Sequence, residues 1–274
     1  MTNGTHIRSL QSLTYQNLER ILDETWLKNN PNHTYNKWIM KPTDSTERLL
    51  LSRFDNYIEK AVPFLHPKTI RCKLRNWQSS QFIDTYYELE VGCFLIDNGF
   101  SIDFKRMLSS NKGRITPDIF LKEENAIVEV KTLHPSQEEE KGRKSGKVFE
   151  IKPFRKIKDD VQTEIAKYQN KGIKYPLIVI MCPDIIEHPL VPLDDFKTAL
   201  YYQVDRAKFS KGTLHWIPDK EFWGLYYLNK GHDCGLLHGV VLWRGKVVRF
   251  FENPNVNENL KIPKGRFLDL LEKT

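Results

Sequence analysis

Apolar positions early in the chain recur at helical spacing, and later ones gather into strand-like runs. Leu10, Leu13, Leu18, Ile21 and Leu22 fall at mixed three- and four-residue steps and predict a helix from about Ile7 to Lys28. Asn29 to Pro42 reads as a loop that leaves Trp38 exposed. Ser45 is placed to cap a second helix carrying Leu49, Leu50, Leu51, Phe54, Tyr57, Ile58 and Val62. His66-Pro67 breaks that pattern, and a short basic helix or turn follows through Arg71, Lys73 and Arg75. Ser79 or Ser80 can open the next helix, which runs to about Asn98 and stops at Gly99.

Phe100 to Phe104 alternates and predicts a first strand, and Ser109 to Gly113 reads as a loop. Ile119-Phe120-Leu121 and Ala126-Ile127-Val128 with Val130 form two strands around the turn Lys122-Glu123-Glu124-Asn125. Phe154, Ile157, Val161, Ile165 and Tyr168 mark an amphipathic helix ending at Gly172. The continuous apolar run from Pro176 to Cys182 suits a central strand buried on both faces. Farther on, Asp194 to about Lys208 reads as a helix and Phe222 to Leu228 as a strand. Leu236 to Trp243 and Lys246 to Glu252 read as a hairpin around Arg244-Gly245, and Phe267 to Leu271 as a last short helix. This is an α/β protein. Its expected parts are a helical extension over 1–76, a core over 77–184, and a C-terminal α/β extension with a β-hairpin over 185–274. Dense aromatics in the last part, Trp216, Phe222, Trp223 and Trp243 among them, are expected to pack that extension.

Charged residues interrupt one strand. Glu129 and Lys131 lie two apart and share a face. A two-residue turn at Glu123-Glu124 sets Asp118 directly opposite Glu129, with Cβ atoms about 5 Å apart. Two carboxylates that close repel unless a cation lies between them, and their oxygens suit a hard ion such as Mg2+. Glu88 sits at the rim of the apolar face made by Tyr87, Val91, Phe94 and Leu95. Glu90, the alternative, projects about 200° away.

Pro117-Asp118, a ten-residue gap and Glu129-Val130-Lys131 resemble the PD-(D/E)xK nuclease superfamily, over roughly Gln81 to Cys182. The chain holds its own controls. Pro183-Asp184 is followed at the same gap by Asp195-Phe196-Lys197, but Pro189 and Pro192 lie between and Asp194-Asp195 reads as a helix start. The resemblance implies a restriction-endonuclease-like αβββαβ core with a mixed central sheet. It further implies a Mg2+-dependent endonuclease on DNA, with Mn2+ able to substitute, of the kind found in restriction and other defence systems. Asp118, Glu129 and the Val130 carbonyl would then hold the ion. Glu88, at a spacing similar to that in archaeal Holliday-junction resolvases, would complete the site. Lys131 would orient or deprotonate the attacking water. The competing expectation is a catalytically inactive nucleic-acid-binding protein that keeps the fold, and a third is a protein–protein interaction module.

Composition narrows the partner. The formal net charge of +7 favours a polyanion. From Lys141 to Lys158 there are eight Lys or Arg and one acid, Glu150. Lys141, Arg143, Lys144, Lys147, Arg155, Lys158 and Gln162 are the expected nucleic-acid contacts, with double-stranded DNA the expected partner. Restriction-type cutting of both strands would call for a two-fold homodimer. Four scattered cysteines, no secretion pattern at Met1-Thr2-Asn3-Gly4 and no run of about 18 apolar residues predict a cytoplasmic protein with reduced thiols and no membrane span.

Overall fold

The computed structural model describes residues 15–65, 67–76, 79–134, 145, 153–183, 193–201, 203–210, 213–223 and 234–272. Helices come first. The single helix predicted from Ile7 to Lys28, of which residues 7–14 lie outside those described, is two over the rest, α1 (Gln16–Leu22) and α2 (Glu24–Asn29). Asp23 between them takes φ 70°, and its carboxylate accepts from the Thr25 and Trp26 N–H groups, so the chain restarts there as a capped helix. The predicted loop after it holds α3 (Thr34–Ile39), and Trp38 is buried rather than exposed. It packs edge-on against Phe82, ring centroids 5.5 Å apart, a long-range contact that a six-residue helix cannot announce through its own periodicity. α4 (Thr46–Ala61) starts at Ser45, whose Oγ accepts from the Arg48 N–H at 3.2 Å. α5 (Pro67–Leu74) and α6 (Ser79–Asp97) follow, and Gly99 ends α6 at φ 75°.

Strands β1 (Ile102–Phe104), β4 (Ile119–Leu121), β5 (Ala126–Leu133), β6 (Leu177–Pro183), β9 (Leu237–Trp243) and β10 (Val247–Glu252) form one sheet in the order β1-β4-β5-β6-β9-β10. Pairing is antiparallel from β1 through β5, parallel across β5, β6 and β9, and antiparallel again at β10. The fold is therefore α/β with a mixed six-stranded sheet. The predicted loop over Ser109 to Gly113 is instead the middle of a small hairpin, β2 (Leu108–Ser110) and β3 (Gly113–Ile115). The helix predicted to reach Lys208 stops early. It is α8 (Leu193–Leu200), and the residues after it form β7 (Gln203–Ser210), paired with β8 (Thr213–Trp223). Seven register pairs across that hairpin outweigh the local helical pattern. The strand predicted at Phe222 is the end of β8, and residues 224–228 lie outside those described.

Helices cover both faces of the sheet. On one face Phe54, Phe82 and Val91 share a core with Val128, Val130, Ile178 and Trp243. On the other, α7 (Pro153–Asn170) brings Ile157, Val161, Ile165 and Tyr168 against Ile127, Val179 and Leu242. β6, buried at every residue, reads as a continuous apolar run for this reason. Among the described residues no helix is long and apolar enough to cross a membrane.

α6 approaches β1 closely at Gly92, where a Cβ would overlap the Phe104 ring. Gly92→Ala gains about 1 kcal/mol of helix propensity but forces the buried ring aside, at about 1–3 kcal/mol. The expected result is a lower urea midpoint with an unchanged slope.

Candidate active site

Strands β4 and β5 are paired only as far as Ile119 and Val128. That register is the one the two-residue turn predicts, and it carries Asp118 to the place opposite Glu129. There the ladder stops and the strands part. The Val130 N–H, which would have looked for the next main-chain carbonyl, donates instead to Asp118 Oδ2 at 3.0 Å. The N–H and C=O of one strand residue point to the same side, so the Val130 carbonyl also faces this fork. Asp118 and Glu129 lie near enough that the charge of Asp118 acts on the Glu129 carboxyl.

Each carboxylate here is buried, and each is held by an ammonium. Lys105 Nζ binds Asp118 Oδ1 and also Glu88 Oε2 at 3.1 Å. Lys73, from α5, grips both oxygens of Glu88 at 2.5 and 2.6 Å. Glu129 Oε1 accepts from Lys167 at 2.8 Å and from the Tyr168 hydroxyl. Lys131 pairs with Glu164 at 2.7 Å, and Glu164 also takes Lys167 at 3.0 Å. Glu164, Lys167 and Tyr168 lie one helical turn apart on α7, so one helix face braces both charged residues of β5.

The charges settle unevenly. Burial raises the Asp118 carboxyl, but Lys105, the hydrogen bond from Glu129 and Lys73 outweigh it and hold it well below the usual carboxylate range. Burial, with the Asp118 charge beside it, pushes Glu129 up to about 8. Glu88 is also raised, by burial and then by Asp118, against the pull of Lys105 and Lys73. For Lys131 burial works downward, yet Glu164 and then Asp118 and Glu129 carry it above the ordinary lysine value. It stays an ammonium.

Glu88, Asp118, Glu129 and Lys131 thus converge on the fork, the first from α6 on one face of the sheet and the last two on the α7 face. Glu90 is turned elsewhere. Its carboxylate accepts from Tyr57 at 3.2 Å, Tyr86 at 2.9 Å and Trp243 at 2.7 Å, inside a cage of its own. Of the expected nucleic-acid contacts, Lys141, Arg143, Lys144 and Lys147 lie outside the described residues. Arg155 lies in the first turn of α7. Lys158 and Gln162 are half-buried on that helix, with burial lowering the Lys158 ammonium. The side chains that α7 sends into the centre are Glu164, Lys167 and Tyr168. Glu164 and Tyr168 fall in step with Val161 and Ile165, so a glutamate on the apolar face was their only mark in the sequence. Lys105 had none. The helix of Pro183-Asp184's decoy is real, since Asp195 lies within α8.

Among the described residues no three His, Cys, Asp or Glu side chains gather as one metal-holding group. The fork offers two carboxylates and one carbonyl. Comparison with protein-family models, with curated proteins and with solved structures gives no match.

Tyr168→Phe removes a buried donor from Glu129 and leaves Lys167 in place. The expected loss is about 1–3 kcal/mol of unfolding free energy, read by chemical denaturation.

Proposed function

We propose that this chain is a Mg2+-dependent DNA endonuclease built on a restriction-endonuclease-like αβββαβ core. The observation that carries this reading is the carboxyl pair Asp118–Glu129, set opposite each other by the register where β4 and β5 part, with Lys131 two residues farther along β5. The order α6, β1, β4, β5, α7, β6, with antiparallel then parallel pairing, supports the same core. Membership of the PD-(D/E)xK superfamily remains part of the proposal.

The donor chemistry fits the ion. Mg2+ is commonly bound through one or two carboxylates, with water and substrate phosphate filling the other positions, and does not need a full protein cage. Asp118, Glu129 and the Val130 carbonyl would hold it, with Glu88 adding charge from the α6 side. When bound, the ion would supply Lewis-acid polarisation of the phosphate and a more acidic water. Two carboxyls set opposite each other are a pair that a cation relieves, since each then ionises without facing the other's charge. Lys131 stays cationic, so its part is to orient the attacking water and offset phosphate charge rather than to take a proton. Glu164 fixes its ammonium. The basic stretch from Lys141 to Lys158 would follow the DNA backbone, Mn2+ would substitute for Mg2+, and cutting of both strands would draw on a homodimer.

A second reading, a nucleic-acid-binding protein without catalysis, draws on one observation: Lys73 and Lys105 already neutralise Glu88 and Asp118. Plasmid incubated with Mg2+ or with EDTA separates the two. The nuclease nicks only with metal, and the binding protein retards DNA in both. Asp118→Ala and Lys131→Ala should each lower metal-dependent cleavage by at least about 100-fold with the circular-dichroism spectrum unchanged. Wild-type cutting by either variant would remove the assignment.

A further inference from the structure

Lys105 is the one residue of the centre that holds Asp118 at both ends. Its backbone N–H donates to the Asp118 carbonyl at 3.1 Å, and its ammonium binds the Asp118 carboxylate. The residue sits just past β1 at φ 55°, a left-handed conformation that a lysine rarely adopts. That turn sends the side chain across toward β4, where only 17% of it remains exposed. From there the same ammonium spans to Glu88 on α6.

Four carboxyl groups, Glu88, Asp118, Glu129 and Glu164, meet four ammonium groups, Lys73, Lys105, Lys131 and Lys167. A divalent cation at Asp118 would therefore meet an ammonium group on every carboxyl of the cluster. Like charges that close repel in a site with little water, so an ammonium must leave. Lys167 lies on Glu129 and Glu164, Lys131 on Glu164, and Lys73 on Glu88. Lys105 is the ammonium on the Asp118 carboxylate, so it is the one displaced. Its anchor does not move with it, because the backbone bond to Asp118 holds the turn. The freed ammonium stays beside the fork, where a bound phosphate would present its non-bridging oxygens.

We propose that Lys105, parked on Asp118 and Glu88, is a substrate-phosphate residue of this site that a divalent cation at Asp118 would displace onto the phosphate. The inference rests on the nuclease reading above. Lys105 keeps Asp118 and Glu88 together, and on a bound phosphate it would add positive charge where the transition state gathers negative charge.

The experiment pairs calorimetric titration of Mn2+ alone with plasmid cleavage, on full-length wild type and on Lys105→Met and Lys105→Arg. With its competitor removed, K105M should bind Mn2+ about tenfold more tightly, whereas K105R should stay near wild type. Cleavage by K105M should fall about 100-fold while K105R keeps most of it. A K105M that binds Mn2+ no more tightly than wild type overturns the parking. One that binds tightly and cuts at the wild-type rate overturns the phosphate role. If K105M does not fold, Lys105→Gln, which keeps a donor without the charge, takes its place with the same two expectations. Wild type that binds Mn2+ yet cuts no nucleic acid would fail the nuclease reading and the phosphate role together, and the Mn2+ comparison would still decide whether Lys105 competes.

Discussion

Everything at the centre turns on a substitution of side chain for main chain. Between β4 and β5 the ladder runs out after Ile119 and Val128, and the Val130 N–H closes onto the Asp118 carboxylate. A buried N–H needs an acceptor, and here the acceptor is an ion. That choice brings a charge into the middle of the protein, where it cannot stand alone. Lys105 answers it on one side, and Lys73 enters through Glu88 on the other. Helix α7 is then required to brace Glu129 and Lys131. The fork between two strands thus dictates which helices must lie over it and which polar groups they must carry.

The sequence made part of this legible. Turn length and strand period together fix a register, so the placing of Asp118 against Glu129 followed from counting. Gly99, Gly172 and Ser45 marked helix ends that the structure keeps. What did not show were contacts between distant segments. Trp38 looked exposed because its partner, Phe82, is 44 positions away. The hairpin over Leu108 to Ile115 has three-residue strands, too short for a period to register. Lys105 lay in an unremarkable turn, and only the backbone angle there reveals where its side chain goes. Glu164 could have been noticed as an acid among apolar neighbours, but nothing local says that it awaits Lys131.

Glu88 and Glu90 show how much one helical face decides. Two residues apart on α6, they are nearly equally buried. Glu88 meets two ammonium groups and a second carboxylate. Glu90 meets two phenols and an indole, neutral donors that satisfy a carboxylate without offering it a place to react. The same residue type joins a cluster of ammonium groups and carboxyls in one case and a structural joint between α4, α6 and β9 in the other.

The sheet does not end at β6. On its far side β9 pairs with it in parallel and β10 closes the run, so a strand from the last quarter of the chain completes the layer that the fork belongs to. A chain cut after Pro183 would leave the far edge of β6 as a bare, seven-residue apolar template with unmatched amides, the form in which strands recruit one another between molecules. The C-terminal strands in that sense cover an edge along which β6 of one chain would otherwise pair with another.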